Sequence, residues 1–144
     1  MGKRKITKNN QSGLDHALKQ RALSKNLKNK VLEGILYIES TYNNTKLALT
    51  NLGGDILSWS TSGSLGFKGA KKGTPFAAQK IAEVLGEKAK AAGMKSVNII
   101  VKGVGSGREA AIRSFASFGI DIISISDKTP VPHNGPKSKK PRRV

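Results

Sequence analysis

The sequence predicts an α/β domain with a mixed five-stranded sheet and a basic segment at each end. Two observations lead to this class. Stretches typical of strands and helices follow one another in the order β-β-β-α-β-α-β, and most of the net charge of +17 lies outside them. The segment 1–30 has nine basic side chains and one acidic one, and 129–144 has five basic and no acidic ones. We therefore divide the chain into a basic extension (1–30), an α/β domain (31–128) and an extended tail (129–144).

The extension contains one candidate helix, over about 14–26, with apolar residues at helical spacing. Three helical turns without a partner are marginal in water. We therefore expect the extension to be disordered in the free protein and to become ordered on RNA or on a neighbouring protein.

Three short strands open the domain. They are predicted over 32–39, 46–50 and 56–61, where β-branched and aromatic residues occur between clusters of turn residues. Alternation places Leu47 with Leu49, and Leu57 with Trp59, on one face of their strands. Short strands joined by tight turns predict an antiparallel meander.

A helix over 74–92 follows the third strand. Thr74 is a suitable N-cap, and Pro75 suits the first helical position because no amide hydrogen is needed there. Gly93 suits the C-terminal end of the helix. One stripe of the helix is apolar and is expected to face the core, namely Ala78, Ile81, Ala82 and Leu85.

A fourth strand over 97–101 is almost continuously apolar, which indicates burial on both faces. The next helix, over 106–118, begins with Ser106 and Glu109 at capping-box spacing. A fifth strand follows over 120–126. Helices after the third and fourth strands indicate right-handed crossovers between parallel strands, so both helices begin at the same edge of the sheet.

Two glycine-rich segments, 62–76 and 102–108, lead into these helix starts. Glycine lets the backbone approach a partner closely, and a helix N-terminus favours an anion. The second segment lacks the dinucleotide fingerprint because arginine stands at position 108. Basic side chains accompany both segments, so this edge can meet several phosphates of a folded RNA. They are Lys68, Lys71, Lys72, Lys102, Arg108 and Arg113.

The order of elements also allows a ribonuclease-H-like fold, whose nucleases hold two metal ions with clustered carboxylates. Here Lys102 ends the fourth strand, where a metal ligand would be wanted, and Glu109 is explained as a cap partner. We therefore predict no enzyme, no metal and no cofactor. The competing hypothesis is a DNA-compacting or ribonuclease-H-like nucleic-acid protein. The carboxylates weighed for catalysis are Glu39, Glu83, Glu87 and Glu109.

The seven aromatic side chains are not spaced as a base-stacking platform. We expect most of them to lie in the core. Phe67 and Tyr42 lie in loops, where they could stack on bases, and we expect both to pack beneath the loop. Recognition of RNA by its shape follows from this, because reading of single strands would need more exposed aromatics.

Three motifs occur in order along the chain: GFKGAKKGTPFAAQ at 66–79, VKGVGSGRE at 101–109 and DKTPVPHNG at 127–135. In sequence and spacing they resemble the bacterial-type small-subunit ribosomal protein eleven family, over about 33–144. The resemblance implies a three-layer ribonuclease-H-like α/β/α domain that binds 16S-type ribosomal RNA in the platform of the small subunit, near the messenger exit. It also implies a structural role in assembly and translation, beside small-subunit proteins six, eighteen and seven.

The resemblance further implies RNA contacts from the basic residues of both glycine-rich segments and from the tail, whose prolines keep it extended. Asn43 and Asn44 are expected to add polar contacts to the RNA. The tail candidates are His133, Asn134, Lys137, Lys139, Lys140, Arg142 and Arg143.

No apolar run reaches the roughly 18 residues that a membrane helix needs, so no membrane partner is expected. The N-terminus also lacks the apolar middle of a signal peptide. We expect a chain that works in the bacterial cytoplasm, or in the stroma or matrix if an organelle encodes it.

Overall fold

The structure is a computed structural model that describes residues 11–23 and 30–144. An N-terminal helix precedes the predicted order of strands and helices. Two 3-10 turns, Gly63–Leu65 and Gly69–Gly73, connect the third strand to the next helix. The elements are α1 (Gln11–Leu23), β1 (Glu33–Ser40), β2 (Thr45–Asn51), β3 (Ile56–Thr61), α2 (Pro75–Ala91), β4 (Ser96–Lys102), α3 (Gly107–Ala116) and β5 (Asp121–Asp127).

The five strands form one mixed sheet in the order β3-β2-β1-β4-β5. β2 is antiparallel to β1 and β3, whereas β4 is parallel to β1 and β5 is parallel to β4. In this register Tyr37 lies opposite Ala48 on one side and opposite Ile100 on the other. The α/β class and the mixed five-stranded sheet are thus confirmed, and so are the predicted strand directions.

Both crossover helices lie on the same face of the sheet. The connections from β3 to β4 and from β4 to β5 both move toward the β5 edge, so right-handed crossovers place α2 and α3 side by side. The predicted apolar stripe of α2 is fully buried, together with Ala111 and Phe115 of α3. These helices cover one row of sheet side chains from each central strand: Leu36, Ile38, Leu47, Leu49, Val97, Ile99 and Val101.

The N-terminal helix α1 packs against α2 and against the first 3-10 turn, Gly63–Leu65. The Lys19 ammonium lies 3.0 Å from the Glu87 carboxylate and 4.0 Å from that of Glu83. Leu23 packs against the core. The helix predicted over 14–26 is therefore present over 11–23, and its predicted last turn lies outside the described residues.

The ends of α2 have the predicted chemistry. The Thr74 hydroxyl accepts a hydrogen bond from the Ala77 amide at 3.3 Å, and Pro75 is the first helical residue. At the other end, Gly93 has a φ of 78° and its amide donates to the Lys90 carbonyl. This left-handed residue closes the helix in a Schellman motif.

The predicted pairing of Leu57 with Trp59 on one face is wrong. The register between β2 and β3 shifts next to Thr50, which is opposite Ile56, so that β3 has one extra residue. A bulge of this kind reverses the alternation at one point. As a result Leu57 packs against the core, and Trp59 is 63% exposed on the face opposite the helices.

The predicted burial of β4 on both faces is also only half right. Val97, Ile99 and Val101 are buried beneath the helices, but Asn98 and Ile100 are half-buried. Within residues 11–23 and 30–144, every helix lies on the other side of the sheet. We call this second surface the open face, and define it by Trp59, Ala48, Tyr37, Ile100 and their neighbours in the same register.

Candidate nucleic-acid interface

Four segments meet at one edge of the sheet. Because β1, β3, β4 and β5 run in the same direction, their carboxyl ends lie together. The carboxyl edge, as we name it, consists of the β1–β2 turn (41–44), the β3–α2 loop (62–74), the β4–α3 loop (103–106) and the start of the tail (128–129). Ligands of open α/β sheets bind at such an edge.

The loop glycines pack the segments of the carboxyl edge against one another. A Cβ on Gly73 would overlap the carbonyl group of Tyr42, whose carbon atom would lie 2.9 Å away. A Cβ on Gly105 would overlap both Thr41 and Ser40, and the Gly105 amide donates to the Ser40 carbonyl at 2.9 Å. At these positions the close partner is therefore the protein's own β1–β2 turn.

The capping box predicted at the start of α3 is wrong. Ser106 has the helical backbone angles φ −70° and ψ −12°, and its side chain makes no cap hydrogen bond. Its hydroxyl instead donates to the Gly73 carbonyl at 3.1 Å, which ties the β4–α3 loop to the β3–α2 loop. Glu109 is free of the expected cap role and lies 3.4 Å from the Arg113 guanidinium.

Phe67 packs beneath the β3–α2 loop, as predicted. Its half-buried ring contacts the core and meets the Phe76 ring edge to face, with the centroids 6.0 Å apart. The same prediction is wrong for Tyr42, which lies in the facing turn and is 78% exposed. The carboxyl edge thus offers at least one aromatic side chain to a partner.

A polar network fixes the path of the tail where it leaves β5. The Asp127 carboxylate accepts hydrogen bonds from the Thr129 hydroxyl at 2.6 Å and from the Thr129 amide at 2.9 Å, and it also pairs with Arg108. Arg108 donates to the Gly103 carbonyl at 2.9 Å, and the Gly103 amide donates to the Thr129 hydroxyl at 3.2 Å. The tail is therefore fastened to the β4–α3 loop.

These bonds also change the acidity of the carboxylate. The two hydrogen bonds from Thr129, and then the one from Arg108, lower the pKa of Asp127 from 3.8 to about 2. Donors that favour the charged form act in this direction. Arg108, predicted as an RNA contact, is half-buried and already has two partners within the chain.

The other predicted basic residues differ in how freely they face solvent. Lys68, Lys71 and Lys102 are exposed, and Lys72 is half-buried. Arg113 is exposed, but it lies near the last turn of α3, away from the helix start. The structure therefore brings the lysines of the first loop to the carboxyl edge and leaves Arg113 farther along the helix surface.

The two asparagines predicted to contact RNA from the β1–β2 turn differ in their exposure. Asn43 is exposed, whereas the half-buried Asn44 side chain accepts a hydrogen bond from the Ser62 hydroxyl at 2.6 Å. Asn44 therefore joins the turn to the β3–α2 loop. From Pro130 on, every side chain of the tail is exposed, and the chain forms neither helix nor strand. This exposed part includes His133, Asn134, Lys137, Lys139, Lys140, Arg142 and Arg143.

The acidic side chains weighed for catalysis lie beside basic ones. Glu39 lies 3.8 Å from Lys46, and the other carboxylates pair with Lys19, Lys80 or Arg113. Among residues 11–23 and 30–144, no three His, Cys, Asp or Glu side chains are grouped so that they could hold a metal ion. In the same ranges, no helix has both the length and the apolar character needed to cross a bilayer.

Comparison with known sequences decides the family. A sequence profile described as "Ribosomal protein S11" matches residues 34–143. The chain belongs to the ribosomal protein S11 family. This confirms the resemblance based on three motifs, and the family is one of ribosomal structural proteins rather than enzymes.

Curated relatives agree with the S11 assignment. The small ribosomal subunit protein uS11c of Trieres chinensis is 56% identical over 117 residues, which cover 81% of this chain and 90% of that protein. The uS11 protein of Treponema pallidum subsp. pallidum is 51% identical over 117 residues, covering 81% and 93%. That of Leptothrix cholodnii is 47% identical over 124 residues, covering 86% and 92%.

Each of the three motifs of the S11 resemblance contains part of the carboxyl edge. The stretch 66–79 is the β3–α2 loop with the start of α2, 101–109 joins β4 to α3, and 127–135 begins the tail. Residues far apart in the sequence thus form one continuous surface in this S11 chain.

Sequence reasoning missed the exposed aromatic residues of the open face and Lys46, although it had included Lys102 among the RNA contacts. Tyr37 is 38% exposed, and both Lys46 and Lys102 lie in the next row of the sheet, on either side of Glu39. The alternation of Tyr37 with the core residues on either side of it could have indicated this face. The bulge in β3 hid the equivalent signal for Trp59.

Proposed function

We propose that this S11-family chain is a structural constituent of the small ribosomal subunit that binds 16S-type ribosomal RNA. We place its site in the platform near the messenger exit, where it supports assembly and translation. The observation that carries the proposal is the convergence of all three family motifs on one basic edge. The relatives named small ribosomal subunit protein support the same role.

The exposed lysines and the tail supply most of the affinity in this mechanism. Lys68, Lys71, Lys102 and the basic tail residues replace counterions along the phosphate backbone, which makes binding salt-dependent. Asn43 and Asn134 add polar contacts that position the RNA. Arg108 acts chiefly by holding the tail in place through Asp127.

The carboxyl edge and the tail have different tasks. The edge is tied together by backbone and side-chain hydrogen bonds, so it presents its cations in a fixed arrangement. The tail beyond Pro130 is exposed along its whole length and suits a groove in RNA that is still folding.

The partners and the compartment follow from the same assignment. We propose contacts with small-subunit proteins six, eighteen and seven, with the messenger path nearby. We place the chain in the cytoplasm on a bacterial ribosome, or in the stroma or matrix if an organelle encodes it. We further propose that it has no catalytic activity, metal or cofactor.

Binding across salt concentrations tests the proposal. The purified protein is titrated with a platform fragment of small-subunit ribosomal RNA and with duplex DNA of equal charge. We expect a preference for the RNA that survives roughly 0.2 M salt, where purely electrostatic binding weakens by orders of magnitude. Equal binding to both that collapses with salt would instead favour a DNA-compacting protein, and metal-dependent cleavage would favour a nuclease.

A matched pair of lysine variants tests the position of the site. Lys71→Ala on the carboxyl edge should reduce the slope of log K against log salt by roughly 0.7–0.9, the value for one lost phosphate contact. Lys95→Ala is the control, because Lys95 is equally exposed but precedes β4 at the opposite edge. Equal slopes for the two variants would contradict the placement of the RNA.

A further inference from the structure

The open face carries two aromatic rings in one row of the sheet. Tyr37 of β1 and Trp59 of β3 both lie opposite Ala48 of the intervening strand. Strands lie about 4.8 Å apart, so the two residues are about 10 Å apart across β2. Ala48, the residue between them, has a small side chain. Trp59 is 63% exposed and Tyr37 is 38% exposed.

Lysines occupy the next row of the same face, nearer to the carboxyl edge. Lys46 and Lys102 lie in register with Glu39, one on each side of it. The Lys46 ammonium is 3.8 Å from the Glu39 carboxylate, which leaves this row with a positive balance. The two rows are two residues apart along the strands, or about 7 Å.

Acidic residues lie at the far end of the sheet. Glu33 begins β1 and Asp121 begins β5, both at the edge away from the loops. On the open face itself, lysines thus lie nearest the carboxyl edge, the aromatic rings lie in the middle, and Glu33 and Asp121 lie beyond them. A phosphate backbone is therefore favoured along the lysine row, with its bases directed toward the aromatic row.

We propose that the open face binds a single-stranded RNA segment by stacking bases on Trp59 and Tyr37. Lys46 and Lys102 would hold the adjoining phosphates, in continuity with the basic carboxyl edge. Base–aromatic stacking beside a cationic groove is a general means of binding single strands. The inference rests on the proposed RNA-binding function, but it assigns a second surface and a second form of RNA.

Trp59 is the only tryptophan of the chain, so its fluorescence reports on this face alone. The full chain is titrated with a fluorescently labelled single-stranded oligouridine or oligoadenine and with a duplex RNA of equal charge. Anisotropy of the label measures binding, and Trp59 emission measures stacking. We expect the single strand to quench Trp59 and to protect it from acrylamide, and we expect the duplex to bind without either effect.

Substitutions then separate stacking from charge. Trp59→Ala should weaken single-strand binding by about 5- to 150-fold, the range for one lost stacked base, and Trp59→Phe should lose much less. Tyr37→Ala should act in the same direction. Ile123→Ala is the matched control, because Ile123 is 61% exposed on the edge strand β5, away from the aromatic row. Circular dichroism checks that each variant is folded.

The outcomes distinguish this inference from the proposed function. If RNA binds but Trp59 emission and acrylamide quenching stay unchanged, the open face is not an RNA surface, while the function at the carboxyl edge stands. Equal losses for Trp59→Ala and Ile123→Ala would overturn the inference in the same way. If the single strand does not bind by anisotropy, this inference fails, whereas the proposed function is judged by binding of the platform fragment.

Discussion

Gly73→Ala tests the contact between the β3–α2 loop and the β1–β2 turn. The new methyl group would meet backbone atoms, with the Tyr42 carbonyl carbon at 2.9 Å and the Asn43 Cα at 3.3 Å. Backbone cannot rotate away as a side chain can, so the turn must move. Overpacking of this kind costs about 1–3 kcal/mol, and the smaller entropy of the unfolded alanine chain offsets about 0.4–1 kcal/mol. We expect a net loss of about 1–2 kcal/mol.

Gly63→Ala is the control within the same loop. A Cβ there would have its nearest neighbours, Lys72 Cδ and Thr61 Oγ1, at 3.9 Å, which is ordinary van der Waals contact. The free energy of unfolding should therefore stay within about 0.5 kcal/mol or rise slightly. Urea denaturation followed by circular dichroism measures the stability of both variants. For Gly73→Ala we expect the midpoint to move to a lower urea concentration, while the dependence of the unfolding free energy on urea stays unchanged.

RNA binding provides a second readout of the same contact. Displacing the β1–β2 turn and the loop also displaces Lys71 and Lys72, so Gly73→Ala should bind the platform RNA more weakly than Gly63→Ala under conditions where both are folded. If Gly73→Ala were as stable as Gly63→Ala, the two segments could not be packed as the structure has them, and the reasoning would be refuted.

Two further predictions concern the tail and the helix layer. The pKa of Asp127 is lower in the folded protein than its ordinary value of 3.8, so its stabilising effect is complete above that pH and is lost as pH falls toward about 2. Asp127→Asn should therefore flatten the fall in melting temperature between about pH 4 and pH 2, and curves parallel to wild type would contradict the Arg108 and Thr129 bonds. Gly86→Ala places a Cβ that overlaps the Phe118 ring, whose Cγ would lie 2.7 Å away, and should destabilise the protein despite a gain of up to about 1 kcal/mol in helix propensity. In a Phe118→Ala background, Gly86→Ala should raise the free energy of unfolding measured by urea denaturation. If it still lowered the stability there, the close contact between Gly86 of α2 and Phe118, just after α3, would be contradicted.

The order and direction of the elements could be predicted because the local signals agreed with one another. The Thr74 cap, the following proline and the left-handed Gly93 determine the ends of α2 from local chemistry alone. The apolar stripe of the same helix has a 3.6-residue period, and every residue of that stripe is buried in the core. The right-handed crossover rule then determined which edge receives both helix starts.

The errors arose where distant residues override a local pattern. Ser106 and Glu109 have capping-box spacing, but the serine hydroxyl donates its hydrogen bond to the Gly73 carbonyl, 33 residues away in the sequence. The extra residue in β3 turns Trp59 to the open face, and it is visible only in the register against β2. Both predictions rested on a few neighbouring residues, and those residues contain neither the Gly73 carbonyl nor the register of β3 against β2.

The loop amides give a physical reason to assign the RNA affinity to side chains rather than to a phosphate cradle. The Gly103 amide donates to the Thr129 hydroxyl, the Gly105 amide to the Ser40 carbonyl, and the Gly66 amide to the Gly63 carbonyl. An amide that already has a partner inside the protein gains little from a phosphate, because it would have to give up the first bond. The glycines therefore shape a rigid edge, and the lysines around it and the tail beyond it carry the charge. It follows that the salt dependence of binding should change with the number of exposed cations, and that it should not change with glycine substitutions that leave the fold intact.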